Sequence, residues 1–187
     1  MSNPTLLSNT LSSGYRELCQ SLHEADDSWG IASVHQAPMV AAIINQNKFT
    51  EILDYGAGKC RLGEALSDKI THAIALTNYD PAIPDIAESP DPSEFVACID
   101  VLEHIEPDYL DNVLSDLQRV TEVAGFFTIS CRKARRILGD GRNAHLIVET
   151  PEWWLVKLRE KFDIPNFSYS NGTLSVLVKA QEPSIQE

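Results

Sequence analysis

The sequence predicts an α/β protein built on a doubly wound, mostly parallel sheet, and three stretches predict it. Residues 51–66 read as a short apolar strand (Ile52, Leu53), an aspartate, a loop with Gly56 and Gly58, and a helix carrying Leu62, Ala65 and Leu66. Strand, glycine turn and helix open such a sheet, because glycine admits φ > 0 and lets a ligand approach the backbone. A second strand-like run, 73–79, ends in Asp80, and a third, 94–100, leads through Pro107 into an amphipathic helix.

Taken in order, residues 1–14 are rich in Ser, Asn and Thr and read as a loose tail. A helix is expected over 15–24, where Tyr15, Leu18 and Leu22 share a face. After A-D-D-S-W-G the helical pattern resumes over 33–46 through Val34, Ala37, Val40, Ala41 and Ile44, with Pro38 expected in the first turns. The first strand is 51–55, its helix 61–67 and the second strand 73–79. Pro81, Pro84, Pro90 and Pro92 exclude a regular helix throughout 81–93, so this segment reads as abbreviated. A strand over 94–100 follows, then a helix over 108–120 with Leu110, Val113, Leu114, Leu117 and Val120 on one face, then a strand over 125–130. Thr150 is an N-cap candidate with Pro151 at the first helical position, and Trp154, Leu155 and Leu158 form the apolar face. Residues 167–169, Asn171-Gly172 and 174–179 read as a closing hairpin. With no repeat or linker, the 187 residues are expected to form one domain: tail 1–14, a helical region 15–48 and an α/β core 49–180.

Composition narrows the function. The hydrophobic share of 43% and charged share of 22% are ordinary for a globular protein. No apolar run approaches the ~20 residues that span a bilayer, and the N-terminus lacks a basic leader, so a cytoplasmic protein is expected. The four cysteines (Cys19, Cys60, Cys98, Cys131) show no C-x-x-C pairing and read as reduced thiols. A net charge of −12 argues against a broad nucleic-acid face, with one local reversal at Arg132, Lys133, Arg135, Arg136 and Arg142.

Three motifs carry a family resemblance. Asp54-Tyr55-Gly56-Ala57-Gly58 is similar to motif I (D-x-G-x-G-x-G) of the class I S-adenosylmethionine (SAM) dependent methyltransferases. Tyr79-Asp80-Pro81-Ala82 resembles their second motif, and Phe95 to Ile105, with V-L-E-H at 101–104, resembles the fourth-strand segment of the small-molecule type. The resemblance covers roughly residues 50–180. It departs from the family where Cys60 replaces the third glycine, where Val96 follows Phe95, and where 81–93 abbreviates the helix and third strand. It implies a Rossmann-like sheet ending in an antiparallel strand, a helical cap over cofactor and substrate, and SAM as cofactor. It also implies cofactor contacts from Asp54, Tyr55, Gly56, Ala57, Gly58, Asp80, Pro81, Asp100 and Val101. Asp80 would accept the ribose hydroxyls, and Asp54 would order the loop and meet the methionine amino group. The adenine contacts stay unassigned.

SAM carries an activated methyl group, so such a protein supplies binding and alignment, plus a general base where the acceptor loses a proton. His145, in the D-G-R-N-A-H loop, and His104 are the candidate bases. Trp29, Arg142 and Asn143 are the candidate substrate contacts, the arginines suiting a phosphate or carboxylate. No metal ligands are assigned. The expected activity is methyl transfer to O or N of a small acceptor. A nucleotide-binding oxidoreductase fits the glycine register less well. A catalytically inactive SAM-binding regulatory or interaction protein stays open, while a nucleic-acid methyltransferase lacks both the N/D-P-P-Y/F/W and the P-C motifs.

Overall fold

The computed structural model describes residues 10–25 and 30–181. Trp29 and residues 1–9 lie outside this range. Six strands form one sheet: β1 (Glu51–Tyr55), β2 (Ala75–Tyr79), β3 (Ser93–Ile99), β4 (Thr121–Ser130), β5 (Phe162–Ser170) and β6 (Thr173–Ala180). Their order is β2-β1-β3-β4-β6-β5, with β1 to β4 parallel and β6 running antiparallel between β4 and β5. The doubly wound sheet with an antiparallel end is therefore present. The proline-rich stretch holds only a 3₁₀ turn, Pro84–Ile86, and the chain passes from β2 to β3 without a further strand, leaving β2 at an edge.

The sheet is buried on both faces because its central strands are apolar in continuous runs. Ile52, Phe95, Ala97 and Phe126 pack under α2 (Ile31–Asn47) and α3 (Arg61–Leu66), against Ala37, Val40, Ile44, Leu62 and Leu66. Their sequence neighbours Leu53, Val96, Cys98 and Phe127 turn the other way. There they meet α4 (Leu110–Val120) and α5 (Pro151–Arg159) through Leu114, Leu117, Trp154 and Leu158. The period of two along each strand assigns alternate residues to two separate cores. A third cluster sits at the carboxyl ends of the strands, where α1 (Ser13–Ala25) brings Tyr15 onto Ala82, Leu138 and Ala144.

Local signals set several boundaries. Thr150 accepts the Trp153 N–H at 3.3 Å and caps α5. Asn171 and Gly172 have φ of 52° and 79°, the left-handed pair that a two-residue hairpin requires. Other boundaries differ from the sequence expectation. Pro38 lies well inside α2 rather than in its first turns. Its side chain is exposed, so the carbonyl it leaves without a helical partner is on the solvent side. The helix expected at 108 starts as a 3₁₀ turn, Pro107–Tyr109, and becomes α-helical at Leu110. Strand β4 begins at Thr121 instead of 125, directly at the C-cap of α4. β5 starts at Phe162, and β2 only at Ala75. No described helix is long and apolar enough to cross a membrane.

Candidate functional site

The loops after β1, β2, β3 and β4 converge at one edge of the sheet, the place where open α/β sheets bind ligands. The β1 loop turns sharply. Gly56 and Gly58 have φ of 77° and 51°, and both the Gly56 and Ala57 N–H groups donate to the Tyr79 carbonyl, at 2.8 and 2.9 Å. A Cβ on Gly56 would stand 2.5 Å from Val101 Cγ2, so the first glycine is required twice over. Cys60, at the position of the third glycine, keeps a left-handed φ of 55° despite its side chain and forms the N-cap of α3. Burial, then the Asp54 and Asp80 charges, pushes its thiol up in pKa, which disfavours a reactive thiolate.

Two carboxylates organise this turn. Asp80 receives the Gly58 N–H at 3.1 Å on one oxygen and the Ala82 N–H at 2.9 Å on the other. Asp54 is 3% exposed at the end of β1, and its Oδ2 has no hydrogen-bond partner. Burial, reinforced by Asp80, raises the Asp54 carboxyl to about 7. Asp100, beyond β3, holds a left-handed φ of 53°, fixed by its N–H donating to the Thr128 carbonyl and by the Thr128 hydroxyl donating to its carboxylate at 2.7 Å.

Gly56, Gly58, Asp80 and Asp100 border a cavity of about 710 Å³, whose lining does not include Asp54. His104, His145, Arg132, Lys133, Arg135 and Arg136 line it as well. A smaller apolar recess of about 100 Å³ adjoins it, sharing Gly56, Asp80, Asp100 and His104 and walled by Pro81, Ala82, Val101 and Ile105. α1 closes this recess. Tyr15 donates its hydroxyl to the His104 carbonyl at 2.7 Å, and Ser12 donates from N and Oγ to the Glu106 carboxylate at 2.8 and 2.9 Å. Part of the stretch read as a loose tail is thus pinned over the site.

The remaining candidates divide. His104 and His145 meet, their rings edge to face at 4.8 Å. Ala57 is buried in the turn. Tyr55 lines the small recess but is 3% exposed, and its hydroxyl donates to Asp116 at 2.9 Å. Arg142 is not among the residues that wall the large cavity. It pairs with Asp140 at 2.6 Å and stacks over Tyr15 at 5.4 Å. Asn143 is occupied in holding its own loop: its Oδ1 accepts from the Ala134 and His145 N–H groups, and its amide donates to the Ala134 carbonyl. Sequence reasoning missed Glu103 and Tyr15. Glu103 had a signal, an acid immediately before His104, whereas Tyr15 read only as part of a helix face. Burial, with the Asp100 charge beside it, raises the Glu103 carboxyl well above the usual carboxylate range.

No protein-family profile matches the chain, and no curated protein is similar to it in sequence. Solved structures do resemble it in fold. One is the 1,6-didemethyltoxoflavin-N1-methyltransferase of Burkholderia thailandensis, with bound 1,6-didemethyltoxoflavin and S-adenosylhomocysteine. The two are 18% identical over 97% of this chain and 94% of that one, with a TM-score of 0.65. The N-methyltransferase NodS of Bradyrhizobium japonicum, in complex with S-adenosylhomocysteine, is 13% identical over 91% of this chain and 100% of its own, with a TM-score of 0.58. The mitomycin 7-O-methyltransferase MmcR is 14% identical over 87% of this chain, which spans 60% of MmcR, with a TM-score of 0.63.

Proposed function

We propose that the chain binds SAM at the glycine turn and transfers its methyl group to an oxygen or nitrogen of a small acceptor in the large cavity. One observation carries the reading: a buried carboxylate oxygen without a partner, Asp54 Oδ2, lies at the base of a left-handed glycine turn edged by a second carboxylate. A cationic amino group is the ligand chemistry that satisfies such an oxygen. The residues present fit SAM. Asp54 would face its ammonium group and Asp80 its ribose hydroxyls, and Pro81, Ala82 and Val101 supply apolar walls for an adenine ring. The Gly58 and Ala82 N–H groups already orient Asp80 for this task. Bound there, SAM supplies an activated methyl group.

The chain's own residues hold and align the acceptor. Arg132, Lys133 and Arg135 are exposed on the cavity wall, so they can receive a phosphate or carboxylate without first losing a buried partner. His104 and His145 border the same space, where an imidazole can take a proton from the acceptor, an effect of about 10²–10⁴ in rate. The methyltransferases of similar fold act on, or are named for, small molecules, which supports an acceptor of that size. A SAM-binding protein without catalysis is the second reading, favoured by Cys60 at the glycine position and by the absent third βα unit.

Calorimetric titration with SAM, S-adenosylhomocysteine and NAD tests the proposal. Both sulfur compounds are expected to bind and NAD is not. Asp80→Asn is expected to weaken binding about 10–100-fold, the value of a hydrogen bond to a charged group. Absence of binding to either sulfur compound would overturn the reading. Binding without turnover across an acceptor panel would favour the second one.

A further inference from the structure

We infer that Glu103, His104 and His145 form a divalent-metal site opening on the large cavity. One ligand atom from each, two imidazole nitrogens and a carboxylate oxygen, falls within 4.8 Å of the others. Ligands about 2.1 Å from a tetrahedral ion stand about 3.4 Å from one another, so the three side chains would close by roughly 1.4 Å at most around it.

Three features support this cluster as a site, and the second is one that loop-fixing histidines alone do not explain. First, His104 Nδ1 lies 2.8 Å from the Ala144 carbonyl oxygen and His145 Nδ1 lies 2.5 Å from that of Arg132. A carbonyl only accepts, so each Nδ1 carries the proton, and the lone pair of each neutral ring is on Nε2. Main-chain carbonyls fix the tautomer and orientation of metal-ligating histidines in this way. Second, Glu103 is fully buried. Its Oε1 accepts the Ser130 N–H at 2.7 Å, while Oε2 has no hydrogen-bond partner. A buried carboxylate oxygen calls for a donor or a cation, and loop fixing leaves it without either. Third, the three ligands come from two loops tied together by the main chain. The Ile147 N–H donates to the Glu103 carbonyl at 3.0 Å, so the 3₁₀ turn Leu102–His104 and the loop at 143–147 keep a fixed spacing.

The donor set selects the ion. Two imidazoles and one carboxylate suit Mn²⁺, Fe²⁺, Co²⁺ or Zn²⁺ rather than the all-oxygen Ca²⁺ and Mg²⁺, and three protein ligands leave positions open for water or substrate. His104 and His145 both line the large cavity. Resting on the reading of that cavity as the acceptor space, the ion would hold the acceptor through an oxygen, and the two histidines become its ligands rather than free bases. This narrows the acceptor to one that presents a hydroxyl, phenolate or similar oxygen.

The test needs no methyl donor, so its failure is separate from failure of SAM binding. Chelator-stripped protein is titrated calorimetrically with Mn²⁺, Co²⁺ and Zn²⁺, and thermal midpoints are measured with and without each ion. One ion per chain is expected. His145→Ala and Glu103→Gln should each weaken it at least tenfold and abolish the thermal shift, while His35→Ala, exposed on α2, leaves both unchanged. His145→Ala removes a half-buried ring, so its fold can be checked by its own melting curve without ion. Acetohydroxamate, a bidentate oxygen ligand, should bind the loaded protein and not the stripped one. Undetectable binding at millimolar ion, or equal affinity in His145→Ala, overturns the site. Binding of the ion without acetohydroxamate would overturn the oxygen-acceptor assignment.

Discussion

Replacing Asp54 by asparagine should stabilise the free protein at alkaline pH while weakening the SAM binding proposed above. Burial and the Asp80 charge lift this carboxyl from 3.8 to about 7. Below pH 4 it is protonated in both folded and unfolded chains. Between pH 4 and 7 the unfolded chain loses the proton and the folded one keeps it, so the group's contribution to stability falls as pH rises and is flat beyond about 7. At about 1.4 kcal/mol per pH unit, the rise corresponds to about 4 kcal/mol lost by pH 8. Asparagine keeps the shape without the charge, but its amide enters a site where Oδ2 has no partner, which returns about 1–3 kcal/mol. The net gain is about 1–3 kcal/mol at pH 8, whereas at pH 4 only the amide's cost of about 1–3 kcal/mol is left and the variant is the less stable protein. Urea unfolding of both proteins from pH 4 to 8 measures it, and calorimetry with SAM should show at least a tenfold loss of affinity. An Asp54→Asn protein less stable than wild type at pH 8, or a difference that ignores pH, would refute the buried-charge argument.

Three further substitutions probe the turn and the loop. Gly56→Ala should cost about 2–4 kcal/mol in urea unfolding, since its φ of 77° is left-handed and its Cβ would overlap Val101. In a Val101→Ala background part of that cost should disappear. Cys60→Gly should raise stability by about 0.5–1 kcal/mol, left-handed strain relieved at 55° being partly offset by the freer unfolded chain; a lower melting temperature would contradict this. Asn143→Ala removes the bonds to Ala134 and His145 and should cost about 2–3 kcal/mol. Amide exchange at Ala134 and His145 should speed up while the sheet stays protected.

The sequence by itself determined whatever depends on near neighbours. The glycine turn at 56–58, the Thr150 cap and the Asn171-Gly172 hairpin turn each rest on the backbone freedom or hydrogen bonding of one or two residues. The apolar run at 95–99 was enough to identify a strand. Tertiary structure decided the rest. Arg142 and its neighbouring basic residues look alike in sequence, but Asp140 and the Tyr15 ring hold Arg142 while the others face the cavity. Asn143 looked like a substrate contact and is consumed by its own loop. The early start of β4 follows from α4 ending where the parallel register with β3 begins. The orphan oxygens of Asp54 and Glu103 exist only once the sheet has excluded water from them. His104 and His145 come from separate loops, and only the folded spacing of those loops gives the two rings a shared chemistry. Desolvation and long-range juxtaposition are properties of the packed chain, so no local pattern encodes them.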